Sequence, residues 1–148
     1  MPPLDNPQGM AANGAGEELL GRHPLVLDLP AHAASPSVAR AWLHTIADTT
    51  ALPEPLVDDA TLVLSELVTN AVLHAATDVH VSIELHDGTG IHLEVGDDTS
   101  ALPRVLGYDP EHIGGVGMRI IEQLVAAWGV RRVGDGKIVW ADLTVVVG

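Results

Sequence analysis

The chain has 148 residues, 47% of them hydrophobic, which is enough to bury one core without metal or disulfide staples. It contains no cysteine, so a disulfide framework, a thiolate zinc site and a cysteine nucleophile are excluded by counting. Seven basic residues against twenty acidic ones give a formal net charge of −13, a surface that repels phosphate backbones and anionic lipids and argues against nucleic acid or membrane as partner.

Residues 1–23 lack the basic start and apolar stretch of a secretory signal and are expected to form a disordered tail ahead of one domain over 24–148. No later run approaches the roughly eighteen apolar residues of a membrane span, so a cytoplasmic protein is expected. Pro24–Leu29 alternates between two prolines and predicts a short edge strand. Ser35 before Pro36 predicts an N-cap, and Val38, Ala39, Trp42, Leu43 and Ile46 recur at helical spacing over a helix at 36–49. Trp42 reads either as core or as an interface anchor. Pro53 and Pro55 precede a second helix over about 56–76, apolar nearly all round, as a helix in the middle of a domain is.

Val79, Val81, Ile83 and Leu85 alternate with polar residues up to the turn at Asp87-Gly88, and Ile91, Leu93 and Val95 alternate after it, which predicts a β-hairpin. From Asp97 to Gly117 the periodicity stops in a long loop rich in glycine and proline. A third helix is then expected, with Met118, Ile121, Leu124, Val125 and Trp128 on one face. Gly129–Arg132, the turn Gly134-Asp135-Gly136, and Ile138, Trp140, Leu143 and Val145 predict a second hairpin. This order predicts an α+β fold, a two-layer sandwich with helices on one face of a mostly antiparallel sheet.

The polar residues inside the apolar second helix need a reason. Glu66 and Asn70 are four apart and project from one side of it, one turn above the other. A carboxylate there is costly unless it is paired or solvated, so Glu66 either serves a site or pairs with an arginine such as Arg40 or Arg119. Asp97, at a strand end before the long loop, is either an acceptor for a ligand or a loop cap. Gly114-Gly115-Val116-Gly117 opens the third helix, where free N–H groups favour an anion, although glycines there also serve turns that need positive φ. A P-loop is absent because Gly136-Lys137 is followed by Ile138, and the histidines show no H-E-x-x-H pattern that would mark zinc.

Together, in this order, these features carry a resemblance. Leu64-Ser65-Glu66-Leu67-Val68-Thr69-Asn70-Ala71-Val72-Leu73-His74-Ala75 resembles the N box of the GHKL superfamily of ATPases, which takes in gyrase, heat-shock chaperones and histidine kinases. Leu93–Asp97 with Asp98 resembles its adenine box, and Gly114-Gly115-Val116-Gly117-Met118-Arg119-Ile120-Ile121 resembles the ATP lid and the helix after it. The closing Gly136-Lys137-Ile138-Val139-Trp140 is similar to the ending of small bacterial members related to anti-sigma-factor kinases, and the resemblance spans about residues 24–146.

The resemblance implies Glu66 as general base, Asn70 as ligand of Mg and nucleotide, and Asp97 as acceptor for the adenine amine. It implies Gly114, Gly115, Val116, Gly117 and Met118 as the phosphate-binding segment. It also implies a homodimer, which an interface anchor at Trp42 would suit. Three positions depart from the family pattern: Thr99 stands two residues after Asp97 where glycine is usual, Leu73 where Lys or Arg is common, and Ile138 where threonine is common. Phosphate charge is then expected to rest on Mg, backbone amides and His74. Two functions follow as expectations. One is an anti-sigma factor that binds ATP and acts as a serine/threonine-protein kinase on an anti-anti-sigma-type partner. The other is a non-catalytic ATP-binding module that sequesters a sigma factor or another transcription regulator.

Overall fold

The computed structural model describes residues 24–74, 77–86, 88–98, 119 and 121–145. In chain order they form β1 (Leu25–Leu29), α1 (Ser35–Asp48), α2 (Glu54–His74), β2 (Val79–His86), β3 (Gly90–Asp97), β4 (Ala127–Val133) and β5 (Gly136–Thr144), with residues 121–124 helical ahead of β4. The strands make one antiparallel sheet in the order β1-β2-β3-β5-β4. The expected tail over 1–23 and the long loop lie outside the described residues.

Alternation decides which face of the sheet is dry. Leu25, Leu27 and Leu29 stand in register with Ile83, Val81 and Val79, and these in turn with Leu93, Val95 and Asp97. Leu143, Ala141, Val139 and Lys137 continue the rows on β5. This face packs under α2, which buries Leu56, Ala60, Val63, Leu67 and Asn70 along one stripe and Val57, Leu64 and Val68 beside it. α1 lies on α2 and buries Ala39, Leu43 and Ile46, with Trp42 half-buried against the same core. The result is the expected α+β two-layer sandwich, helices on one face of an antiparallel sheet.

The ends of the elements correct several expectations. Ser35 is not the cap of α1: it is buried and its hydroxyl donates to the Pro30 carbonyl at 2.7 Å, while Ala34 takes the cap position. α2 starts at Glu54, with Pro55 inside the first turn, where the missing N–H leaves no bond unmade. The third helix does not reach Trp128. The Val125 N–H still bonds back to Ile121, but the Ala126 N–H bonds across to Asp142 at 2.8 Å, and Trp128 lies in β4.

The other face of the sheet carries a polar network. His92 Nδ1 faces Asp142 at 2.5 Å and its Nε2 faces Glu94 at 2.8 Å, with Trp140 stacked alongside and Arg131 donating to Glu94 at 3.2 Å. His80 is placed alike, Nδ1 to Asp28 at 2.8 Å and Nε2 to Asp98 at 3.1 Å. A ring that donates from both nitrogens is an imidazolium, so such sites favour the protonated form.

Candidate nucleotide site

Glu66 and Asn70 come from the middle and later turns of α2. Asn70 extends the buried stripe of Val63 and Leu67 and is itself buried, while Glu66 is half-buried at the margin of that stripe. The arginine pairing does not form. Arg40 donates to Ser65 Oγ at 2.6 Å and to Ser37 Oγ at 2.8 Å, and among the described residues Glu66 has neither a hydrogen bond nor an ion pair. A carboxylate left without a partner beside a buried helix stripe is available to take a proton. His74, one turn beyond Asn70, is exposed at the end of α2, and Leu73 is exposed as well.

Asp97 ends β3 on the helix-facing side of the sheet, in a row that runs Leu29, Val79, Asp97, Lys137, Arg132 across the five strands. The apolar face thus finishes in charged groups at one edge. That edge adjoins the end of α2, because only residues 75–78 connect His74 to Val79, the register partner of Asp97, and the Asp98 N–H donates to Thr77 Oγ1 at 3.1 Å. Connectivity therefore brings Asn70 and Asp97 to the same end of the molecule.

Asp97 is engaged across the sheet. Its Oδ2 accepts from Lys137 Nζ at 2.7 Å, and the two side chains are only 3% and 5% exposed. The approach is close because the strands meet tightly here: a Cβ built on Gly136 would stand 2.2 Å from the Asp97 carbonyl oxygen, so only glycine fits. Lys137 was missed by sequence reasoning. Its signal was alternation, since Lys137, Val139, Ala141 and Leu143 share the dry face, whereas Ile138 and Trp140 mark the other one. Ile138, read from sequence as a lost polar contact, lies across from Gly96 on the open face.

Gly114, Gly115, Val116, Gly117, Met118 and Thr99 lie outside the described residues. A groove of about 380 Å³ runs along the open face past Val26, His80, Asp98 and Ile138; Asp97 and Lys137 also line it, whereas Glu66 and Asn70 do not. Among the described residues no three His, Asp or Glu side chains gather as metal ligands, and no helix is long and apolar enough to cross a membrane.

The family profile of the histidine kinase-like ATPase domain matches residues 29–143, from the end of β1 to the end of β5. The chain belongs to this family. Among solved structures, the histidine kinase-like ATPase domain described here is similar to the RsbU and RsbW domains of a Mycobacterium tuberculosis protein, with a TM-score of 0.63 and 19% identity, covering 82% of this chain and 32% of that one. It thus spans about a third of that neighbour's length. The SiaB-SiaC complex from Pseudomonas aeruginosa matches with a TM-score of 0.58 and 13% identity, covering 88% of this chain and 95% of that one. No curated protein matches the sequence. At these identities the likeness to both neighbours is one of fold alone.

Proposed function

We propose that this domain binds Mg-ATP and acts as an anti-sigma-type regulator that phosphorylates a serine or threonine of an anti-anti-sigma-type partner. The observation that carries the proposal is Glu66, a half-buried carboxylate without a partner among the described residues, one turn from buried Asn70 and on the helix whose end adjoins Asp97. Membership of an ATPase-domain family supports the nucleotide. The anti-sigma-type role rests on likeness to the RsbW domain and to the SiaB-SiaC complex.

The residues fit the group. A buried carboxylate beside a buried ammonium provides hydrogen-bonding partners for a base, and an amide at Asn70 provides the hard oxygen that magnesium takes alongside phosphates and water. Bound Mg-ATP supplies the transferable phosphoryl group and offsets the charge that builds on it. Asn70 would hold the metal, Asp97 would accept the adenine amine, and Gly114, Gly115, Val116, Gly117 and Met118 would cradle phosphates, with His74 at the mouth. Glu66 accepts the proton of the attacking hydroxyl as its oxygen bonds to the γ-phosphorus and the bond to ADP breaks.

The test is transfer of labelled γ-phosphate from ATP to each anti-anti-sigma-type protein of the source genome. Wild type should label one of them on serine or threonine. Glu66→Gln should lower the rate by about 10²–10⁴-fold with ATP affinity unchanged. Nucleotide binding without transfer to any partner would leave the non-catalytic module, holding a sigma factor or another regulator, as the better account.

A further inference from the structure

Resting on the base pocket proposed above, we infer that Lys137 is a second reader of adenine, donating to ring nitrogen N1 while Asp97 accepts from the exocyclic amine. Lys137 is the single lysine of the chain, and it stands on the helix-facing side of the sheet in the row that starts with Leu29 on β1 and Val79 on β2 and has Asp97 and Arg132 on either side of it. Its ammonium has three N–H donors. One goes to Asp97 at 2.7 Å, and among the described residues no other acceptor meets it, although the side chain is only 5% exposed. A buried donor left unpaired is destabilising, and a buried ion pair is often no more stable than apolar residues of the same size. Stability alone therefore does not account for placing this pair at the end of an apolar face.

A ligand edge does. The carboxylate of Asp97 and the ammonium of Lys137 present an acceptor and a donor side by side, and the Watson–Crick edge of adenine presents an amine beside an unprotonated ring nitrogen. The two edges are complementary. Guanine and hypoxanthine in the same pose would set a carbonyl against the carboxylate and an N–H against the ammonium, so both contacts would repel. Lys137 thus adds to the discrimination that Asp97 alone would make.

The test is calorimetric titration of the wild-type chain with Mg-ATP and with Mg-1-deaza-ATP, in which N1 is replaced by C–H and the amine is kept. The analogue should bind about tenfold more weakly than ATP, the effect of one charge-assisted hydrogen bond. In Lys137→Met the two should bind alike, both more weakly than ATP binds the wild type. The wild-type comparison needs no substitution, so it decides even where Lys137→Met fails to fold. Equal affinities in the wild type, or a Lys137→Met chain that binds ATP as tightly as wild type, would overturn the inference and make Lys137 only the counter-ion of Asp97. If neither nucleotide binds at all, the base pocket itself is lost and this inference with it.

Discussion

His92 shows how much two neighbours can do for one side chain. Burial works against its cation, but hydrogen bonds to Glu94 and Asp142 outweigh that and raise its pKa above the ordinary 6.5. Glu94 is the mirror case: burial would raise it, yet the bonds to His92 and Arg131 hold it below its ordinary 4.5. The stability His92 contributes is therefore complete below pH 6.5 and is lost as pH rises through its folded pKa, while that of Glu94 is present above pH 4.5 and is lost as pH falls through its own. Urea unfolding across this range should give a wild-type advantage over His92→Gln that is largest between pH 4.5 and 6.5 and shrinks toward pH 8. A difference independent of pH would refute the assignment. His80 is raised by Asp28 and then Asp98, but its side chain is 44% exposed, so its share should fade in about 1 M salt, where the screening length is near 3 Å. At this scale Glu66 and Asn70 stood out as candidates because polar residues in an apolar run ask for a reason, and Asp97 because it ends a strand before a long loop. The partner of Asp97 was not, because Ile138 and Trp140 are apolar residues on the open face and disguised the phase of the strand.

Among the elements, the β3–β5 junction is where fold and site are the same thing. Gly136→Ala would drive a Cβ into the main chain at Asp97 and Asp98, which cannot turn aside as a side chain can. The substitution should cost about 1–3 kcal/mol in urea unfolding and weaken nucleotide binding as well, by moving Asp97 and Lys137 apart. Alanine at Gly134, whose φ of 58° is left-handed but which has open space around it, should cost about 1 kcal/mol and leave binding unchanged. Leu64→Ala, in the fully buried part of α2, should cost about 2–5 kcal/mol. Equal binding losses for the two glycine variants would mean that the junction does not position the site. The hairpins were readable from alternation and their turn residues, and α2 from its long apolar run after Pro53 and Pro55. The end of the third helix was not, because Trp128 suits either period, and it is the cross-strand bond of Ala126 to Asp142 that commits the chain to a strand. The cap of α1 was misread because Ser35 has a better acceptor at Pro30 than the helix offers it.

For the molecule as a whole, a sheet covered by helices on one face leaves the two ends of the sandwich and the open face for partners. A net charge of −13 favours a partner with basic surface, so association with it should slow as salt is raised. The element order was enough to read the α+β class. It did not reveal that the second hairpin docks through β5, since the two strands differ mainly in that β4 carries Arg131 and Arg132, charges suited to an edge. The Asp97 end of this sheet is where we propose that an adenine nucleotide binds. The most direct test is calorimetric titration of Mg-ATP and Mg-GTP into wild type and Asp97→Asn. ATP should bind, GTP should not, and the substitution should abolish ATP binding while the fold persists by circular dichroism. No binding by the wild type at millimolar ATP, or ATP binding untouched by Asp97→Asn, would contradict it.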